Sequence, residues 1–179
     1  MKHRNCFPVL IILVLLGAVG CTNQCLNEKQ IELQNKETAL KIFTAIESDS
    51  LNVFDTLIAA DFIEHNVDSS IKSTGRAGYK EFCAKLKAAF PDARFDIKST
   101  VAEDDRVMVY LRMAGTNKGT VITGMAPTGL LLKRYAVEIF KFKDGVVTEH
   151  WAVADNLSMM LQIGMMEMPV TGIEADSLK

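Results

Sequence analysis

Pro91 divides this chain into two kinds of hydrophobic pattern. Before it, apolar residues recur every three or four positions: Ala39, Ile42, Phe43 and Ile46, then Leu51, Phe54 and Ile58, then Tyr79, Phe82, Cys83, Leu86 and Phe90. Side chains at that spacing share one face of a helix, so the pattern predicts a long first helix, a short second one and a third. Ser73 or Thr74 can cap the third helix, and Pro91 stops it. After Pro91 the period is two. Phe95-Ile97 with Val101, Val107-Val109-Leu111-Met113, Tyr135-Val137-Ile139 and Val147-Glu149-Trp151-Val153 alternate as half-buried strands do. Lys143-Asp144-Gly145 joins the last two as a hairpin, residues 119–129 interrupt the meander as a loop, and 156–162 return to a short helix ended by Gly164. Helices followed by a run of strands predict an α+β fold.

The chain has 179 residues, which suits one domain, and neither repeats nor low-complexity tracts divide it. Its 20 basic residues do not exceed its 22 acidic ones, so no nucleic-acid partner is expected. The N-terminus reads separately from the rest. Met1-Lys2-His3-Arg4 is a short basic start, and residues 9–19 are an unbroken apolar or small run, shorter than the roughly 20 residues of a membrane span. Ala18-Val19-Gly20-Cys21 closes that run and resembles the lipobox of bacterial lipoproteins, in which the Cys carries the lipid. The expected organisation is a signal peptide over 1–20, a polar tether over 21–30, a domain over 31–165 and a tail over 166–179. Loss of 1–20 removes two basic and no acidic residues, leaving 18 against 22, a net charge of −4. Thr22 stands where an Asp favours inner-membrane retention, so the expected location is the cell envelope, on the outer-membrane or periplasmic side. Of the four cysteines, Cys83 falls on a helical apolar stripe and reads as core, with no disulfide expected and no metal site.

The last strand carries the candidate chemistry. Glu149, Trp151, Val153 and Asp155 are two apart and share a face, while Thr148, His150, Ala152 and Ala154 share the other. Carboxylates beside the only Trp suit a sheet face that lines a cavity; a solvated face, or pairing of Glu149 and Asp155 with basic neighbours, is the alternative. If Asp144-Gly145 is a two-residue turn, Arg134 lies opposite Asp155 and Glu138 opposite Trp151. If Gly145 forms a bulge after a three-residue turn, Glu138 lies with His150 instead. His65 is a second acid/base candidate, set against a purely structural, hydrogen-bonded histidine. Tyr79 and Arg76 on the third helix are within reach of a cavity mouth, or belong to packing and a solvated face.

Several segments together resemble one family. They are Ala60-Asp61-Phe62-Ile63-Glu64-His65-Asn66, Gly75-Arg76 with Tyr79-Lys80-Glu81-Phe82, Phe90-Pro91-Asp92, Asp105-Arg106-Val107, Gly115-Thr116-Asn117-Lys118-Gly119 and Pro127-Thr128-Gly129. Phe140-Lys141-Phe142-Lys143-Asp144-Gly145, Glu149-His150-Trp151-Ala152-Val153-Ala154-Asp155 and Leu161-Gln162-Ile163-Gly164 complete the set. From roughly Ala39 to Gly164 the chain resembles the SnoaL-like polyketide cyclase or ester cyclase group of the nuclear-transport-factor-2-like superfamily. The resemblance implies a cone: a curved antiparallel sheet wrapped over three N-terminal helices, enclosing one pocket. In the cyclases that pocket closes a ring by intramolecular aldol condensation, without metal or cofactor. Asp155 matches the catalytic acid/base Asp, Trp151 and Glu149 match pocket-side strand positions, and His65 matches a commonly polar pocket position. Glu138 stands where the cyclases tend to carry His, Asn117 where His is frequent, and Lys141 where Arg is frequent.

The expectation is therefore an ester cyclase-type enzyme acting on a small carbonyl or ester ligand, with Asp155 and His65 catalytic and Trp151, Glu149, Glu138, Asn117 and Arg134 around the ligand. A hydrolase or double-bond isomerase using the same Asp is a related reading. A lipid-anchored binding module without turnover is the alternative, since function does not follow from fold. A homodimer through the open sheet face is also implied, with Thr148 and His150 on the outward side.

Overall fold

In a computed structural model, residues 8–66, 70–120 and 126–167 are described, and for 8–26 only the backbone is. The signal start, the lipidation expected at Cys21 and most of the expected tail lie outside the described residues or their described side chains. Helix α1 spans Pro8–Glu47. The stretch expected to be a loose tether is thus helical. It contains no Gly or Pro to break a helix. Among the described residues, no helix is long and apolar enough to cross a membrane.

The C-terminal part of α1 buries Ala39, Ile42, Phe43 and Ile46, the predicted stripe. A short 3-10 turn at Leu51–Val53 and α2 at Phe54–Leu57 follow. The chain then turns into β1, Ile58–Glu64, which the periodicity did not predict. Ile58 and Phe62 are both buried and four apart, a spacing that fits one face of a helix or of a strand. Helix α3 runs over Gly75–Ala89 from Thr74, which contributes no side-chain cap. Gly75 permits the start: its φ is +62°, and a Cβ there would lie 2.5 Å from the Ala60 carbonyl oxygen, so α3 can approach β1 closely.

Strands β2 (Arg94–Glu103), β3 (Arg106–Thr116), β4 (Leu131–Lys143) and β5 (Val146–Ala154) form an antiparallel meander, and β1 adds to β5 in parallel. The sheet order is β1-β5-β4-β3-β2, and α4 (Asn156–Gln162) closes one end. The core lies between α1, α3 and the inner sheet face, where Val107, Val109, Leu111, Leu132, Phe140 and Val147 are buried. Truncating a fully buried aromatic such as Phe140 to Ala costs about 3–5 kcal/mol. Cys83 is a buried free thiol, as predicted, and burial raises its pKa well above the ordinary value.

The β4–β5 hairpin decides everything about the site. Asp144 and Gly145 have φ of +52° and +79°, as a two-residue turn of the type that suits twisted strands requires. Beside the turn, Lys143 pairs with Val146 and Phe142 with Val147. Lys141 then pairs with Glu149, leaving Thr148 as an extra residue. That bulge shifts the register, so that Glu138 faces Ala152 and Phe140 faces His150. Neither expected register holds along the whole hairpin, and the β4–β5 pairing ends at Ala136 and Ala154, so that Arg134 and Asp155 are not paired.

Candidate active site

A bulge of one residue exchanges the two faces of a strand beyond it. Val147 points inward, and so do His150 and Ala152 after the bulge, whereas Glu149 and Trp151 point out. Reading the alternation straight through from Val147 therefore assigned β5 to the wrong side. The inner side lines a cavity of about 310 Å³ between the sheet and helices α1 and α3. Its walls are largely apolar, with Phe43, Ile46, Phe82, Leu86, Leu111 and Met113 among them. Gly78, Ala136 and Ala152 leave the space open by being small.

Four ionisable side chains reach this cavity from the sheet side: Glu64 from β1, Arg134 and Glu138 from β4, and His150 from β5. His150 is only 4% exposed and lies between two carboxylates. Its Nδ1 is 2.7 Å from Glu64 Oε2 and its Nε2 is 2.9 Å from Glu138 Oε2. Burial alone would lower its pKa, but the hydrogen bonds and charges of Glu138 and Glu64 outweigh it and raise it to about 9. At neutral pH His150 is an imidazolium donating both N–H groups, one to each carboxyl group. The two carboxylates differ. Glu64 Oε1 also accepts the Asn66 backbone N–H at 2.9 Å, while Glu138 Oε1 has no hydrogen-bond partner among the described residues.

Tyr79 completes the wall beneath His150, with ring centroids 5.4 Å apart. Burial, with Cys83 and the two glutamates nearby, raises its phenol well above the ordinary value, so it stays a protonated donor. Arg134 sits farther along β4. Burial lowers its pKa, with Glu138 countering, and its polar partners are neutral: Asn156 Oδ1 at 3.0 Å and Met159 Sδ at 3.8 Å from NH1.

Of the expected site residues, Glu138 and Arg134 line the cavity and the others do not. Asp155 is exposed and caps α4, accepting the Ser158 backbone N–H at 2.9 Å; β5 ends at Ala154, so the strand alternation does not extend to it. Trp151 stacks on His65 on the outer face, with centroids 4.2 Å apart and planes 4° from parallel. His65 Nε2 is 2.9 Å from Glu149 Oε2, and Glu149 Oε1 accepts from Lys141 at 2.8 Å. Lys141, then His65, hold the Glu149 carboxyl below its usual pKa. Asn117 is fully buried and structural: its amide donates to the Gly119 carbonyl at 2.8 Å, and its Oδ1 accepts from the Thr128 backbone and hydroxyl. Arg76 braces the Asp55 and Ile58 carbonyls, away from the cavity, whereas Tyr79 does reach it.

His150 and Thr148 do not form an outward patch. His150 is inside, and the Thr148 hydroxyl donates to the Lys141 carbonyl within the bulge. The outer face instead carries Tyr110 stacked on Tyr135 at 5.6 Å, with Tyr135 52% and Val153 66% exposed. Glu64 and His150 were the residues that sequence reasoning missed as site members. The signal was present in Ala152 and Ala154, small side chains sharing a face with His150, as cavity-lining positions often do.

Among families of known proteins, the SnoaL-like polyketide cyclase model matches residues 37–163. No curated protein matches the chain. A solved structure of a candidate SnoaL-like polyketide cyclase from Jannaschia sp. CCS1 is 27% identical, with a TM-score of 0.67 over 76% of this chain and 96% of its own. AclR from Streptomyces galilaeus, described as a candidate hydroxylase, is 26% identical, with a TM-score of 0.65 over 76% and 99%. TsrD from Streptomyces laurentii, at 17% identity and a TM-score of 0.68 over 75% and 98%, shares the fold.

Proposed function

Since the chain belongs to the SnoaL-like polyketide cyclase family, we propose that it is an ester cyclase-type enzyme, using acid/base chemistry without a cofactor on a small carbonyl or ester ligand in the cone cavity. The observation that carries this reading is the difference between the two glutamates on His150. Glu64 has both oxygens engaged, while Glu138 keeps Oε1 unpartnered at the cavity wall. Glu138 is the general base in this reading. It takes a proton from carbon flanked by carbonyls, the resulting enolate attacks a second carbonyl of the same molecule to form the new carbon–carbon bond, and the alkoxide recovers the proton from Glu138. His150 positions Glu138 and balances one of the two carboxylate charges. The Tyr79 hydroxyl, on the cavity wall, is a candidate donor to the enolate oxygen, and the apolar walls hold the chain folded for ring closure.

Incubation of the purified chain with a panel of 1,3-dicarbonyl esters that each carry a further, remote ketone or aldehyde, followed by mass and NMR analysis of the products, tests this. Ring-closed isomers of unchanged mass, or of a mass lower by one water, support it. Ligands that bind and return unchanged across the panel would assign the cavity to a binding module.

A further inference from the structure

Arg134 has no part in that proton chemistry, yet it places a cation in an apolar wall. Its neutral contacts are Asn156 Oδ1 and Met159 Sδ, and no carboxylate of the described residues lies within ion-pair distance of it. Its Nε is buried without a hydrogen-bond partner. A guanidinium set half-buried against apolar side chains with only neutral hydrogen-bond partners favours an anion within reach. Glu138 shares the inner face of β4 with it but lies four residues on, roughly 13 Å along the strand, and is engaged by His150. The cavity is at the small end of the roughly 300–1,000 Å³ range of ligand sites, and the walls between the two ends are apolar.

Resting on the reading of this cavity as the ligand site, we propose that its ligand is an apolar monocarboxylate. The carboxylate pairs with the Arg134 guanidinium through Nη2, which makes no hydrogen bond among the described residues, and the carbonyl-bearing body runs along Leu111, Met113 and Phe82 toward Glu138 and His150. An ester or a neutral ketone leaves Arg134 as it is. A free acid supplies the missing anion and, held at this end, keeps its carboxylate away from the two carboxyl groups around His150 while its reactive carbons reach Glu138. This end-for-end polarity also fixes the direction in which a ligand enters the reaction: the carboxylate is an anchor, and the chemistry takes place at carbons remote from it.

Calorimetric titration of the full-length chain with decanoate and with methyl decanoate tests the proposal. Decanoate is expected to bind at least 10-fold more tightly than its ester, because a charge-assisted pair is being compared with at most a hydrogen bond to a neutral carbonyl. R134Q should weaken decanoate roughly 10- to 100-fold and leave the ester unchanged, and R134K, which keeps the charge, should recover part of the loss. Equal binding of acid and ester by the unaltered chain, no binding of decanoate, or decanoate affinity unaffected in both variants overturns the proposal. The acid–ester comparison needs no variant to fold. Because binding is the readout, an Arg134-dependent acid site with no turnover of any dicarbonyl refutes the cyclase reading alone, and turnover with no preference for acids refutes this inference alone.

Discussion

His150 and Trp151 are neighbours in the chain and occupy opposite sides of the sheet, His150 between two carboxylates in the cavity and Trp151 beneath His65 outside it. The inner side chain is held by charge and the outer one by ring stacking and an exposed ion pair. Substitutions at the two positions are therefore expected to act on different properties.

E138Q keeps the shape of the side chain and its contact with His150 but removes the proton acceptor. Turnover is expected to fall by about two to four orders of magnitude, with ligand affinity within a few-fold of the unaltered chain. Rate and affinity measured on the same substrate check this, and an unchanged rate would remove Glu138 from the mechanism.

The imidazolium of His150 contributes to stability over a defined pH range. Its folded pKa of about 9 lies above the ordinary 6.5, so protonation favours the folded state. The contribution is complete below pH 6.5 and is lost as pH rises through 9, up to about 3 kcal/mol in all. Thermal unfolding midpoints should fall between pH 6.5 and 9.5, and the E64Q/E138Q double variant should flatten that fall. A midpoint constant over this range in the unaltered chain contradicts the assignment.

Asp155 acts as a helix cap. D155A should lower stability by about 1 kcal/mol, because the Ser158 N–H loses its acceptor, while D155N should be nearly neutral since Asn caps as well. Turnover in both variants should match the unaltered chain once folding is accounted for. A hundredfold loss of rate in D155N would return this residue to the catalytic role that the family resemblance implied.

We propose a homodimer built on the outer sheet face, with Tyr110, Tyr135 and Val153 at its centre. Light scattering at micromolar concentration should give twice the chain mass, and Y135E should give the monomer. A monomeric mass for the unaltered chain rejects it.

We propose also that Cys21 is the lipidated first residue of the mature protein, on the pattern Ala18-Val19-Gly20-Cys21. Intact-mass analysis of the membrane fraction should show loss of residues 1–20 and an acylated Cys21. An unprocessed Met1 terminus would end this reading.

Most of the fold was legible because each element carried its own period. The stripe Tyr79, Phe82, Cys83, Leu86 specified α3, and the alternation Val107 to Met113 specified β3, without reference to the rest of the chain. β1 was not legible, since Ile58 and Phe62 fit either period and the strand exists through its pairing with β5. The site was legible only in part. Glu138 and Arg134 lie on β4, which is regular, so their parity followed from the pattern. Glu149, Trp151 and Asp155 were misplaced because one unpaired residue, Thr148, and one strand end, Ala154, lie between them and the positions from which parity was counted. Nothing local in Thr148 announces a bulge.

The bulge at Thr148 also sets how this scaffold can change. Were β5 to run on from Val147 without the bulge, the same residues would alternate the other way, bringing Glu149, Trp151 and Val153 into the cavity and sending His150 to the solvent side, with no side chain altered. One hairpin sequence thus holds two complete sets of cavity groups, and the bulge alone selects which of them faces the ligand, a larger step in chemistry than any point substitution on the strand supplies.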